Sequence, residues 1–212
     1  MRPAGGLRER KKQKTREAIQ REAIRLFQEQ GYEATTIDQI AAAADISPST
    51  FFNYFPSKED VVSYDRYDPM LLAGFAAGPP DEPLSVALRR VLWELADVFD
   101  RDRDMILARV RLGLEVPELR ARLWEEIERA QQQLCAIVAA RSGRDPDDFE
   151  LRVVAIALAA ASFECAREWV KRDGRGNLIE LIDQAGDALQ VSARLDALAA
   201  PTTGGRGSGA ES

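Results

Sequence analysis

Histidine is absent from the chain, so the commonest general base and the commonest metal ligand are missing together. Cysteine is scarce: Cys135 and Cys165 stand far apart, each inside an apolar helical pattern. They read as buried free thiols in a reducing compartment, not as a zinc site or a disulfide, with a redox role as the remaining option. No long apolar run is present. The longest nearly apolar stretch, Val153 to Phe163, has eleven residues, whereas a membrane span needs about twenty. The basic N-terminus has no apolar segment of the kind a secretory signal requires. There is no glycine-rich phosphate loop and no metal-spaced cluster. These absences predict a cytoplasmic protein without cofactor, metal, catalytic residues or membrane partner. A lysine- or carboxylate-based mechanism is the one enzymatic option they leave.

The composition is that of a globular chain. Its 212 residues are 45% hydrophobic and 30% charged, enough for a sizeable core. The net charge of −6 is unevenly spread. Residues 1–25 hold nine basic and three acidic side chains, a balance of +6; the remaining 187 residues hold 20 basic and 32 acidic, a balance of −12. A basic end is suited to an anionic polymer, and an acidic body keeps clear of it. A disordered, merely solubilising basic tail is the alternative.

Periodicity predicts helices throughout. Residues 1–10 are expected to be a disordered basic arm. A first helix runs from Lys11 to Gln30 with Ile19, Ala23, Leu26 and Phe27 on its buried face, and Gly31 stops it. Thr36 and Gln39 form a capping box for a second helix carrying Ile37, Ile40, Ala41 and Ala44. Ser47 caps a third, with Pro48 at its first position, and Pro56 ends it. Ser57 caps a fourth. The second and third helices are separated by little more than Asp45 and Ile46, which is the helix-turn-helix plan.

The third helix crowds Phe51, Phe52, Tyr54 and Phe55 into five positions. Phe51 and Phe55 share one face and should pack on Ile19, Ile40 and Val61. Phe52 and Tyr54 point elsewhere, as contact surface for DNA: a ring against a thymine methyl or sugar, a hydroxyl on a phosphate. Packing of both against the fourth helix or the second domain is the alternative. Ser49, Thr50 and Asn53 suit base edges or phosphates. Lys58, in the first turn of helix four, sits against the helix dipole, which makes sense with a phosphate in front of it.

The stretch GYEATTIDQIAAAADISPSTFFNYFPSKEDVV, residues 31–62, resembles the DNA-binding domain of the TetR family of bacterial regulators. With helix one the resemblance covers roughly residues 11–65. It implies phosphate contacts by Thr36, Tyr54 and Lys58, and groove positions for Ser49, Thr50 and Phe52. The full set of expected DNA contacts is Lys14, Thr15, Thr36, Ser47, Ser49, Thr50, Phe52, Asn53, Tyr54 and Lys58. No Arg or Lys lies between Ser47 and Phe55, so the bidentate guanine contact is missing. Specificity then falls to small polar groups, methyl contacts and DNA shape, and affinity to the basic end.

The rest of the chain reads as a second helical unit, making an all-α protein of about nine helices. The expected domains are a helix-turn-helix domain at 11–57, a helical ligand-binding and dimerisation domain at 58–199, and a disordered Gly/Ser-rich tail at 200–212. Asp145-Pro146 opens a helix to about Arg172 that is apolar nearly all round between Val153 and Phe163. Such a helix needs cover on every side. A partner subunit supplies it in one reading, with Val153, Ala157, Ala160, Ala161, Leu178, Ile182, Ala185 and Leu189 at a two-fold interface; TetR-like proteins dimerise this way. A helix central to a monomer is the alternative. Trp93, Phe99, Met105, Leu123, Trp124, Ile127 and Phe163 are candidate walls of a ligand cavity, with Arg109 and Arg167 to fix a polar head group; core packing is the alternative for each. The segment from about Arg109 to Leu189 resembles the ligand domains of actinobacterial TetR-like regulators, some of which sense acyl-CoA or related lipophilic molecules. The sequence thus predicts a homodimeric, effector-released transcriptional regulator, most simply a repressor, on a palindromic double-stranded operator. The competing reading is a helical lipid-binding or carrier protein whose first domain contacts another protein.

Overall fold

The computed structural model describes residues 6–79 and 81–199. Among these residues every regular element is helical, and there are eleven: α1 (Leu7–Gln30), α2 (Ile37–Ala43), α3 (Pro48–Phe52), α4 (Lys58–Ser63), α5 (Asp68–Ala77), α6 (Leu84–Arg101), α7 (Arg103–Glu115), α8 (Pro117–Ser142), α9 (Phe149–Lys171), α10 (Leu178–Ala188) and α11 (Val191–Ala199). The count exceeds the expected nine for two local reasons. Pro69 at the start of α5 opens a new helix after the Tyr64–Tyr67 break. Gln190, with φ of 53°, separates α10 from α11 where no glycine or proline warns of a stop.

Caps set the boundaries from the end of α1 to the start of α4. The Gly31 N–H donates to the Phe27 carbonyl (3.0 Å), and its φ of 88° carries the chain out of α1 at no steric cost. Thr36 accepts from the Gln39 N–H while Gln39 Oε1 accepts from the Thr36 N–H, the expected capping box. Ser47 and Ser57 accept from the N–H groups of Thr50 and Asp60. Two helix starts differ from expectation. Leu7–Arg10, expected in a disordered arm, form the first turn of α1 after Gly6, which caps without a side chain; residues 1–5 of that arm lie outside the described residues. α9 begins at Phe149, because Asp145 closes its own turn and Asp148 Oδ1 accepts the Leu151 N–H instead. The expected tail at 200–212 also lies outside the described residues.

The described residues pack as two compact units: 6–66 with Asp97–Glu126 and Ala166–Leu178, and Tyr67–Ala96 with Ile127–Cys165 and 179–199. In the first, Ile19, Ala23, Ile24, Phe27, Ile40, Ala41, Phe51, Phe55, Val61 and Val62 form one buried cluster. Phe51 and Phe55 lie with Ile19, Ile40 and Val61 as their i,i+4 spacing requires. Helix α4, placed by the sequence in the second domain, joins this cluster through Val61 and Val62. So do Ala108 and Leu112 of α7 and Leu119 of α8. The second unit buries Leu84, Val91, Val138, Leu151, Ala155 and Leu195. There Gly74 lets α5 approach α6, since a Cβ at that position would stand 2.8 Å from the Val91 side chain. Asp196 of α11 accepts from the Ser85 N–H (3.0 Å) and hydroxyl (2.6 Å).

Candidate nucleic-acid interface

The turn between α2 and α3 is made by Ala44 and Asp45. Asp45 adopts φ of 54°, a left-handed position that Asp tolerates, and the Ile46 N–H returns to the Ala41 carbonyl (2.9 Å). α3 therefore starts with Ser47 fixed as its cap. Ser47 Oγ also lies 2.9 Å from Ser49 Oγ and 2.8 Å from Thr50 Oγ1, so three hydroxyls gather at one end of the helix. They can donate and accept, which suits both base edges and phosphate oxygens.

The aromatics divide as their register dictates. Phe51 and Phe55 are buried. Phe52 stands 54% exposed, its ring edge-on to Phe51 at 5.6 Å. Asn53 is exposed beside it. Tyr54 differs from the bare ring expected: α3 ends at Phe52, the Tyr54 N–H turns back to the Phe51 carbonyl, and the ring is half-buried against the buried cluster of the first unit, the head core.

Lys58 is half-buried at the start of α4. Its ammonium donates to the Tyr32 carbonyl (3.1 Å) and lies 4.1 Å from the centroid of the Tyr32 ring. The Tyr32 hydroxyl donates to Glu59 Oε1 at 2.7 Å. Burial first, and then that bond, pushes the Tyr32 hydroxyl far above its ordinary pKa. Burial works to raise the Glu59 carboxyl, but the Tyr32 hydroxyl, its own backbone N–H, Ser57 and Lys58 together bring it below the usual carboxylate range. Thr36 is exposed as a cap, Lys14 is exposed on α1, and the Thr15 hydroxyl donates back to the Lys11 carbonyl (3.1 Å). Arg8, Arg10, Lys11 and Lys12 are also exposed on α1.

Sequence reasoning missed Tyr32 and Gln20. Gln20 is 4% exposed, and its Nε2 donates to the carbonyls of Val61 (2.9 Å) and Tyr64 (2.8 Å) at the end of α4. A glutamine on the apolar face of α1 was the available signal.

The expected ligand residues fall in both units. Phe99, Met105, Arg109, Leu123, Trp124 and Arg167 belong to the first, and Trp93, Ile127 and Phe163 to the second. Arg109 is engaged inside its unit: it donates to the Tyr64 carbonyl (2.6 Å) and pairs with Asp65 (2.7 Å). Met105 packs against the head core, and Trp93 and Trp124 are exposed. In the second unit, Leu88, Arg89, Leu158, Ile182, Asp183 and Leu195 are among the residues lining a cleft of about 30 Å³, which contains none of the expected ligand residues. Of the expected interface residues, Val153, Ala157, Ala160 and Leu189 are exposed, Ala161, Ile182 and Ala185 half-buried, and Leu178 buried. Burial raises the pKa of both thiols, and Cys165 donates to the Leu181 carbonyl (3.3 Å). Among the described residues there is no metal-holding cluster and no helix long and apolar enough to cross a membrane.

Comparison with known proteins agrees with this geometry. Residues 19–64 match the family described as bacterial regulatory proteins, tetR family, and residues 82–193 match the MftR C-terminal domain. The HTH-type transcriptional regulator TcmR of Streptomyces glaucescens is 38% identical over 176 residues, 79% of this chain and 78% of the relative. The crystal structure of Thermus thermophilus FadR, a TetR-family transcriptional repressor in complex with lauroyl-CoA, is 31% identical with a TM-score of 0.54, covering 82% of this chain and 93% of that one. TylP, a TetR regulator from Streptomyces fradiae, shares the fold at 23% identity and a TM-score of 0.53, covering 85% of this chain and 86% of that one.

Proposed function

This chain belongs to the TetR family of bacterial transcriptional regulators, and we propose that it represses by holding a two-fold-symmetric operator as a homodimer and releases it to a small amphipathic effector. The observation that carries the reading is α3: a capped helix of five residues that buries Phe51 and leaves Phe52 standing beside three clustered hydroxyls. A large apolar ring held out of the core at the last residue of a short reading helix is suited to a thymine methyl. Lys58, Thr36 and Tyr54 are assigned to phosphates, and Ser47, Ser49, Thr50 and Asn53 to base edges or backbone. Lys14, Thr15 and the basic turns of α1 add sequence-independent attraction.

One such helix offers few contacts, so two are needed, spaced by about a helical turn of DNA or a multiple. The second copy is assigned to the α9–α10 face, where Val153, Ala157 and Ala160 of α9 and Leu189 just after α10 expose apolar surface and the two alanines allow close helix approach. DNA reading is assigned to the expected helix-turn-helix stretch 11–57 with Lys58 of α4, and effector binding and dimerisation to the helices after α4 within the expected 58–199. The effector is assigned to the acyl-CoA class, because the FadR neighbour holds lauroyl-CoA. It acts only through its differential affinity for the two states, and a difference of a few kcal/mol suffices. The protein works by binding rather than by catalysis, in the cytoplasm where the operator is.

Selection of bound sequences from random duplex DNA tests this, repeated with lauroyl-CoA present. A two-fold-symmetric motif, depleted by lauroyl-CoA, is the expected result. Enrichment of no motif overturns the regulator reading, an asymmetric motif overturns the dimer, and a motif unchanged by lauroyl-CoA overturns the effector class.

A further inference from the structure

We infer that Tyr32 is a positioning residue for DNA binding: its ring and carbonyl hold the Lys58 ammonium in place for an operator phosphate. The inference rests on the operator reading above and deepens it.

A lysine is a compact charge on a flexible stem, and its freedom is lost when it meets a phosphate. Lys58 has lost much of that freedom already. Its Nζ is fixed by a hydrogen bond to the Tyr32 carbonyl at 3.1 Å and by the face of the Tyr32 ring at 4.1 Å. One N–H is thereby used, and an ammonium has three. The remaining donors sit on a half-buried cation whose position is set from the turn that follows α1, not from α4 alone.

The ring is itself packed in place. It is 5% exposed and packs on Phe27 with centroids 5.0 Å apart. Its hydroxyl donates to Glu59 Oε1 at 2.7 Å. That bond has its own consequence. Glu59 adjoins Lys58 in sequence, and a free carboxylate there would both compete for the ammonium and repel a phosphate. The Tyr32 hydroxyl occupies one of its oxygens. Asp60, the next acid, accepts instead from Ser57 Oγ at 2.6 Å. Tyr32 thus orients the cation and ties one oxygen of the adjacent Glu59 carboxylate, using separate groups for each.

The test is a double-mutant cycle read by operator anisotropy over a salt series, with the operator taken from the random-duplex selection. Lys58→Ala is expected to weaken binding and to lower the salt slope by about one phosphate contact. Tyr32→Leu, which removes the ring and hydroxyl, is expected to weaken binding on the order of tenfold, but less than about twofold when Lys58 is already Ala. Tyr32→Phe keeps ring and carbonyl and is expected to stay closer to the parent. Tyr32→pentafluorophenylalanine preserves the shape and removes the negative ring face, so it separates positioning from packing should the Leu variant fail to fold. It is expected to bind more weakly than the Phe variant. An equal loss from Tyr32→Leu with and without Lys58, or a fluorinated variant equal to Phe, overturns the inference. An operator bound just as tightly by Lys58→Ala removes the phosphate contact itself, and the inference with it, while leaving the repressor reading intact.

Discussion

Gln20 offers the sharpest test of how the DNA-reading head is closed. α4 stops at Ser63, so no following turn supplies donors to its last carbonyls. Gln20 reaches across from α1 and donates to the Val61 carbonyl of that helix at 2.9 Å and to the carbonyl of its C-cap, Tyr64, at 2.8 Å. Gln20→Met keeps the volume and removes both donors. The Tyr64 carbonyl retains Arg109 at 2.6 Å, so the larger loss falls on Val61. A buried carbonyl left without a donor costs about 1–3 kcal/mol, and the second bond adds about 1; the apolar thioether offsets part of this. The net expectation is about 2 kcal/mol, or about 4–8 °C in Tm for a chain of this length. Gln20→Glu should be worse at neutral pH, because a carboxylate facing two carbonyls donates nothing. Its folded-state pKa is then raised above the unfolded value, so the folded form binds more protons. Stability is fully present below the unfolded carboxylate range and is lost as pH rises through the raised value. Thermal unfolding followed by circular dichroism, at about pH 5 and about pH 7.5, reads both effects. A Met variant melting within about 1 °C of the parent, or a Glu variant no better at the lower pH, refutes the role assigned to Gln20.

Phe51→Ala is expected to cost about 3–5 kcal/mol in urea unfolding, since the ring is fully buried, whereas Phe52→Ala should leave stability within about 0.5 kcal/mol and reduce operator affinity; equal effects on stability would refute the division of the two rings. Because the Tyr32 hydroxyl is held protonated by burial and Glu59, its contribution to stability is complete below the unfolded tyrosine pKa of about 10 and fades as pH rises above it. Urea stability should decline across that alkaline range in the parent and decline less in Tyr32→Phe. Leu112→Ala opens the seam between α7 and the head core and is expected to cost about 2–4 kcal/mol. Arg109→Met, which removes partly exposed polar contacts, should cost about 1; the reverse order would show that polar contacts, not apolar ones, join α7 to the head.

What was legible in the sequence is what local chemistry decides. Thr36 with Gln39, Ser47 with Pro48, and Gly31 each fix a helix end within a few residues, so the helix-turn-helix plan could be read directly. The four-residue spacing of Phe51 and Phe55 named the buried face for the same reason. Tyr32 and Gln20 were missed because their partners are remote: Lys58 and Glu59 lie 26 and 27 residues from Tyr32, and Val61 lies 41 from Gln20. No window on either residue contains the other half of the contact. Helix ends without a side-chain signal were missed too, at Gly6 before α1 and at Gln190 between α10 and α11. The expected ligand residues show another limit. Periodicity selects a face of a long helix but not the unit in which that stretch packs, and the nine named side chains belong to two.

The composition of the first unit has a consequence for how a regulator of this kind responds. Its core is not closed by α1–α4 alone: Ala108 and Leu112 of α7 and Leu119 of α8 are buried in it, with Met105 and Val116 packed against them. Polar contacts flank that seam. Arg109 holds Asp65 and the Tyr64 carbonyl, and Arg66 pairs with Glu17 and Asp102. Magnitudes decide which of these governs motion. Partly exposed ion pairs contribute about 0.2–1 kcal/mol each and exchange readily with water. Burying Leu112 and Leu119 contributes about 1.5–3 kcal/mol apiece, with nothing in water to replace it. Separating α7 from the head is therefore the costly motion, and re-pairing of the arginines the inexpensive one. A displacement of α7 should carry α4 and the Phe52 helix with it as one packed body, while Arg66 and Arg109 exchange partners at its edge.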